Sequence, residues 1–119
     1  MKLHPNELLF YYHPECSKCK KTRAYAYSIT SHVNEFILER DKFTTTWWRD
    51  VLDMLNLKPK DLLDKSHPDY QEKIARHNYD DEGWLNILTK YPYLIKAPIA
   101  IRKNKAILCT SPKDIYKVL

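Results

Sequence analysis

The run Leu8-Leu9-Phe10-Tyr11-Tyr12-His13-Pro14-Glu15-Cys16-Ser17-Lys18-Cys19-Lys20-Lys21-Thr22-Arg23 joins an apolar strand to a basic helix through a turn that carries two cysteines. Leu8 to Tyr12 is apolar and aromatic, which suits a buried strand. His13-Pro14 stops it, because proline offers no N–H to a sheet ladder and restricts the residue before it. From Ser17 to about Thr30 there is neither Gly nor Pro, and Lys, Arg and Ala favour a helix, so Cys16 falls at its N-terminus and Cys19 one turn further in. Unpaired N–H groups and the positive end of the helix dipole favour a thiolate at Cys16. Lys18, Lys20, Lys21 and Arg23, with no acid among residues 16–23, add to that field. Helix-start thiols of this kind fall from about 8.5 into the range of roughly 3.5–7.5. Cys16 is therefore the expected nucleophile and Cys19 the expected resolving thiol.

Two plainer readings compete. His13, Cys16 and Cys19 could offer three ligands to zinc, but no second Cys/His pair stands at a usual separation: Cys109 is alone, and His67 and His77 lie in polar surroundings. No metal is expected. The two cysteines could also share this spacing by coincidence, though a chain with only three cysteines has both of these at one strand-to-helix turn. Gly83 is the single glycine, which excludes a glycine-rich phosphate loop.

The bulk properties bound the rest. A chain of 119 residues, 44% hydrophobic and 29% charged, is expected to form one domain with a real core, residues 1–119 throughout. The start of the sequence lacks the apolar segment of a signal peptide, and no run reaches the length of a membrane span. A cytoplasmic, monomeric protein without membrane contact follows. The net charge is +5, yet outside residues 18–23 basic and acidic residues are interspersed, so no direct nucleic-acid binding is expected.

Val33 to Leu38 alternates well enough for a second strand, with Ser31-His32 leading into it. Thr44, Thr45 or Thr46 can cap a helix with Trp47, Val51, Met54 and Leu55 on one stripe, widened by Trp48 and Leu52. Pro59 to Leu63 reads as a short helix with Pro at its first position, and residues 64–79 as irregular or weakly helical. Asp80 or Asp81 caps a helix whose Trp84, Ile87, Leu88 and Tyr91 form one buried face. Residues 44–91 or so thus make a helical insertion. Ile99-Ala100-Ile101 and Ala106-Ile107-Leu108 form a hairpin in which Asn104 takes the positive φ. Ser111-Pro112 starts a final helix with Ile115, Val118 and Leu119 on its buried side. Cys109 reads as a small buried apolar residue.

Three segments together carry a resemblance: Tyr12-His13-Pro14-Glu15-Cys16-Ser17-Lys18-Cys19-Lys20-Lys21, Leu57-Lys58-Pro59-Lys60-Asp61-Leu62-Leu63, and Tyr91-Pro92-Tyr93-Leu94-Ile95-Lys96-Ala97-Pro98-Ile99-Ala100-Ile101. In order and separation they resemble the arsenate reductase family that uses glutathione and glutaredoxin, together with its relative, the transcriptional regulator Spx. The resemblance implies an α/β, thioredoxin-like mixed sheet: a parallel βαβ unit, a C-terminal hairpin and helix, and a helical insertion. It also implies a cis-proline at Pro98, with Ala97 presenting its backbone toward Cys16. Ser17, Lys18, Ala97 and Pro98 then join Cys16 and Cys19 as residues that shape the site.

The departures from that pattern bear on substrate. Arsenate reductases of the family surround the cysteine with three arginines, and the corresponding places here hold Asp64, Ala97, and Thr110 or Ser111. Lys96 or Arg102 could replace the lost charge only by turning inward. Those reductases also generally carry one cysteine and borrow glutathione, whereas the Cys16/Cys19 pair follows Spx; the arginine pair that Spx has before its cis-proline is replaced by Lys96-Ala97. Two functions follow. One is a thiol–disulfide oxidoreductase, deficient with arsenate, acting on glutathione, glutaredoxin or a protein disulfide with no bound cofactor. The other is an Spx-like redox regulator that binds RNA polymerase.

Overall fold

In the computed structural model, which describes residues 6–119, Leu8–Tyr12 forms strand β1 and pairs in parallel with β2, Val33–Ile37. The crossover between them is helix α1, Ser17–Ile29. On its other side β1 meets β3, Ile99–Arg102, in antiparallel register with Tyr11 opposite Ile99; β3 then pairs with β4, Lys105–Leu108, with Ile99 opposite Leu108. The resulting order is β2-β1-β3-β4, the mixed four-stranded sheet expected from the sequence. The central strands are the most apolar: Leu8, Phe10, Ile99, Ala100 and Ile101 are all buried.

The chain divides into two compact units, one running to Asp41 and resuming over Ala97–Leu119, the other spanning Lys42–Lys96. The first holds the sheet and α1. Its core gathers Leu8, Phe10, Ala26, Ala100, Cys109, Ile115 and Val118. Helix α1 contributes little apolar surface, burying only Cys19, Thr22 and Ala26, which fall on one face at helical spacing.

Two details of this unit differ from expectation. The hairpin turn places its positive φ at Lys103, 56°, and not at Asn104. A two-residue loop with that conformation at its first central position suits the right-handed twist of the flanking strands, and the register, fixed by Arg102 opposite Lys105, outweighs Lys103's own preference. The final segment, Pro112–Val118, is a 3-10 helix, and Leu119 lies 58% exposed beyond it while Ile115 and Val118 are buried.

The second unit contains α2 (Thr45–Leu55), α3 (Pro68–Lys73) and α4 (Asp81–Lys90), with 3-10 turns at Pro59–Leu62 and Pro92–Leu94. It extends a few residues beyond 44–91 on both sides. Thr44 caps α2 by accepting the Trp47 N–H at 3.1 Å, and Asp80 caps α4 by accepting the Gly83 N–H at 2.7 Å. The buried stripe of α2 is Trp48, Val51 and Leu52, one position round from the face centred on Trp47. Trp47 instead stacks on Phe43, with ring centroids 4.3 Å apart. On α4, Leu85 joins Ile87 and Leu88 inside, while Trp84 and Tyr91 stay half-exposed. Within 64–79, read as irregular or weakly helical, His67-Pro68 opens α3: proline has no N–H to lose at a first helical position, and His67 Nδ1 accepts the Asp69 N–H at 3.0 Å.

Candidate redox site

Strand β1 ends at Tyr12, and the chain turns through His13-Pro14-Glu15 with the Cys16 N–H returned to the His13 carbonyl at 3.2 Å. That turn delivers Cys16 to the N-cap of α1. Its Sγ accepts the Cys19 backbone N–H at 3.1 Å, the place that a serine or aspartate oxygen usually occupies. The sulfur of Cys16 thus lies against the first turn of the helix, whose unpaired donors suit negative charge. Cys16 is partly exposed, whereas Cys19 is fully buried.

Burial gives the second thiol a distinct character. Desolvation first, then its hydrogen bond with Cys16, raises Cys19 from an ordinary 9.0 to about 12. Cys109 is also pushed up to about 12, by burial and then by the Asp114 carboxylate. Lys18 pulls against both shifts, so its charge is felt on the inner side of the helix start. Ser17 is exposed at the first helical position. One residue that the sequence reading missed is Thr22, wholly buried one turn after Cys19, with its hydroxyl donating to the Lys18 carbonyl at 2.7 Å. The signal was its helical spacing from Cys19.

The sheet register brings Ala97 and Pro98 to the same end as the cysteines, because β3 begins where β1 finishes. The Ala97–Pro98 peptide is cis. The Pro98 carbonyl accepts the Cys109 N–H at 2.9 Å, so Thr110 belongs to this end of the sheet as well. Arg102 does not. It lies opposite Lys105 at the far end of β3, four residues beyond Pro98, and at about 3.3 Å per residue that separation removes it as a replacement cation.

Nearby charge is more balanced than the sequence suggested. Arg23 pairs with Glu35 at 3.3 Å, and Tyr27 donates to the same carboxylate at 2.6 Å, so Arg23 is partly neutralised. His13 Nδ1 lies 2.6 Å from Glu39 Oε1. This pairing follows from the parallel register, which sets Tyr12 opposite Ile37 and leaves both residues just past their strand ends. Among the described residues no cluster of three or more His, Cys, Asp or Glu side chains is arranged to hold a metal ion. No helix among them is long and apolar enough to cross a membrane.

This geometry makes a labelling prediction. With the Cys19 pKa near 12, its thiolate fraction at neutral pH is about a thousandfold below that of a thiol at 9.0. Native, reduced protein treated with iodoacetamide at pH 7 should therefore take label at Cys16, with Cys19 and Cys109 modified only after unfolding. Peptide mapping by mass spectrometry reads the result, and native labelling of Cys109 at the rate of Cys16 would contradict it.

A family model described as ArsC family matches residues 11–118. Among solved structures, an arsenate reductase from Vibrio cholerae superposes with a TM-score of 0.82 at 18% identity, covering 98% of this chain and 100% of that one. A provisionally assigned arsenate reductase from Yersinia pestis gives 0.80 at 19% identity, covering 93% and 99%. An arsenate reductase (ArsC) related protein from Brucella melitensis gives 0.68 at 15% identity, covering 94% and 93%. No curated protein matches. At these identities the structural likeness establishes the thioredoxin-like α/β fold.

Proposed function

Because the chain belongs to the ArsC family, we propose that it is a thiol–disulfide oxidoreductase in which Cys16 and Cys19 act as a redox pair on a glutathione adduct or a protein disulfide. The single observation that carries this reading is the Cys16 sulfur at the N-cap of α1, accepting the Cys19 N–H at 3.1 Å, with the Cys19 thiol buried behind it.

The chemistry balances as follows. The Cys16 thiolate attacks one sulfur of a substrate disulfide, forming a mixed disulfide and expelling the other half as a thiolate, which takes up a proton. Cys19 then gives up its proton and attacks the Cys16 sulfur. This forms the Cys16–Cys19 disulfide and releases the second substrate thiol. The substrate gains two electrons and two protons; the protein loses them. Two glutathione molecules, or the dithiol of a glutaredoxin, restore the pair. A Cys19 held near 12 is unreactive until the mixed disulfide forms. Attack on Cys16 therefore requires the helix start to open enough to admit solvent or a base to Cys19. Ala97 and Pro98 support the substrate side, with backbone available to an extended peptide such as glutathione. Ser17 is exposed and Lys18 half-exposed in the first turn of α1.

The test is a Cys19→Ser variant, which can take the first step and not the second. Incubated with cell extract in the absence of reductant, it should accumulate mixed disulfides through Cys16 with glutathione or thiol proteins, released by dithiothreitol. The regulator reading shares the same two thiols and predicts something else: RNA polymerase co-purifying in a manner that depends on the Cys16–Cys19 redox state, with no mixed disulfide trapped. That result would replace the enzyme reading.

A further inference from the structure

The second unit carries a cavity of about 300 Å³ lined by Lys60, Tyr70, His77, Asn78, Tyr79 and Trp84. Its chemistry is unlike that of the cysteine site. Tyr70 is 4% exposed, and its hydroxyl makes no hydrogen bond among the described residues. The side chains of His77 and Asn78 are exposed and make no protein hydrogen bond among the described residues, and the His77 ring lies 6.1 Å from that of Tyr79. A phenol, an imidazole and a carboxamide therefore converge with an ammonium, all able to donate, and no acidic residue lines the cavity. The Tyr70 hydroxyl is therefore open to solvent at the cavity, where a ligand oxygen can take the place of water.

The remaining walls are Ala75 and two aromatic rings. The Tyr79 and Trp84 rings meet edge to face at 4.9 Å. Lys60 Nζ sits over the Trp84 ring, 5.6 Å from its centroid. That exposed cation–π contact is weak, so Lys60 can swing to an anion and leave the indole face to a planar group.

We infer that this cavity binds a phosphate monoester carrying a planar ring, of the nucleoside monophosphate class. The phosphate would take charge-assisted contacts from Lys60 with further donors from Tyr70, His77 and Asn78, while the ring would stack on Trp84. The volume lies at the small end of ligand pockets, roughly 300–1,000 Å³, which admits a mononucleotide and excludes a dinucleotide. The donors are side chains, so the absence of a glycine-rich loop is no obstacle.

The experiment is a titration of the ¹⁵N-labelled protein with AMP, following the Trp84 indole and Asn78 carboxamide signals. Ribose 5-phosphate and adenosine serve as the phosphate-only and ring-only probes. AMP should saturate both signals, with ribose 5-phosphate about tenfold weaker and adenosine weaker still. Lys60→Ala should weaken AMP about tenfold, the scale of one charge-assisted contact, and Lys65→Ala should leave it unchanged. Circular dichroism checks that both variants fold. The inference is overturned by absence of saturation up to about 10 mM AMP, by Lys60→Ala binding like the parent, or by adenosine matching AMP. All of these are read in reduced protein without any redox partner, so they stand apart from the fate of the Cys16/Cys19 proposal.

Discussion

Cys16→Ser should reduce disulfide exchange to background, a fall of at least about a thousandfold, or about 4 kcal/mol of lost transition-state stabilisation. A hydroxyl is ionised far less readily than a thiol and cannot form the mixed disulfide, so no smaller step survives. The variant should still fold, because a serine oxygen is among the best acceptors at an N-cap and keeps the hydrogen bond from the Cys19 N–H. Cys19→Ser should behave differently: a single turnover that ends in a mixed disulfide on Cys16. Cys109→Ala should leave the exchange rate alone, since Cys109 is fully buried in the core cluster that includes Ala100 and Ile115. Reduction of a small aromatic disulfide, followed by absorbance in the reduced protein and in each variant, measures all three. Loss of exchange in Cys109→Ala with the fold intact, or exchange persisting in Cys16→Ser, would reassign the nucleophile.

The same residues show why some of this was legible in the sequence and some was not. A strand ended by His13-Pro14 and a helix free of Gly and Pro are local facts, and they suffice to place Cys16 at the N-cap, where it is found. Apolar runs at Leu8–Tyr12 and Ile99-Ala100-Ile101 likewise mark the central strands. What depended on register was not legible. Arg102 is one step from an apolar strand in sequence, and only its pairing with Lys105 shows that it sits at the wrong end of β3. Arg23 counted toward the field of Cys16 until Glu35, on the neighbouring strand, claimed it. The stripe of α2 was misplaced by one residue because two adjacent tryptophans satisfy the helical period equally well, and packing chose Trp48 for the interior. Lys103 at positive φ is a case in which the strands imposed a turn that the residue alone would not adopt.

Arsenate turnover, with glutathione and glutaredoxin supplied, should be at least about a thousandfold below what the same fold achieves with a full set of cations. A thiolate that attacks an arsenate dianion brings negative charges together, so the site must hold fixed cations that bind the oxyanion and stabilise the charge gained in the transition state. At the places where the resemblance puts arginines, this chain has Ala97, which is apolar and buried, and Thr110. The Thr110 hydroxyl and N–H are both committed to Asp114 Oδ2, at 2.8 and 3.0 Å. These bonds and that from the Ser111 N–H hold Asp114 down at about 2, so a permanent negative charge stands at Thr110. The remaining place has Asp64, a carboxyl lowered by its hydrogen bond from Ser66. The Cys16 helix start can still offer N–H groups to one oxygen. Each missing charge-assisted contact is worth roughly 1.5–3 kcal/mol, so two of them reach about a thousandfold. NADPH oxidation coupled through glutathione reductase, initiated with arsenate, is the assay; exchange with a small disulfide in the same preparation shows that the protein is active. Robust arsenate-dependent oxidation, lost in Cys16→Ser, would mean that a cation such as Lys18 or Lys96 serves the oxyanion. In that case Lys18→Ala and Lys96→Ala would separate the two.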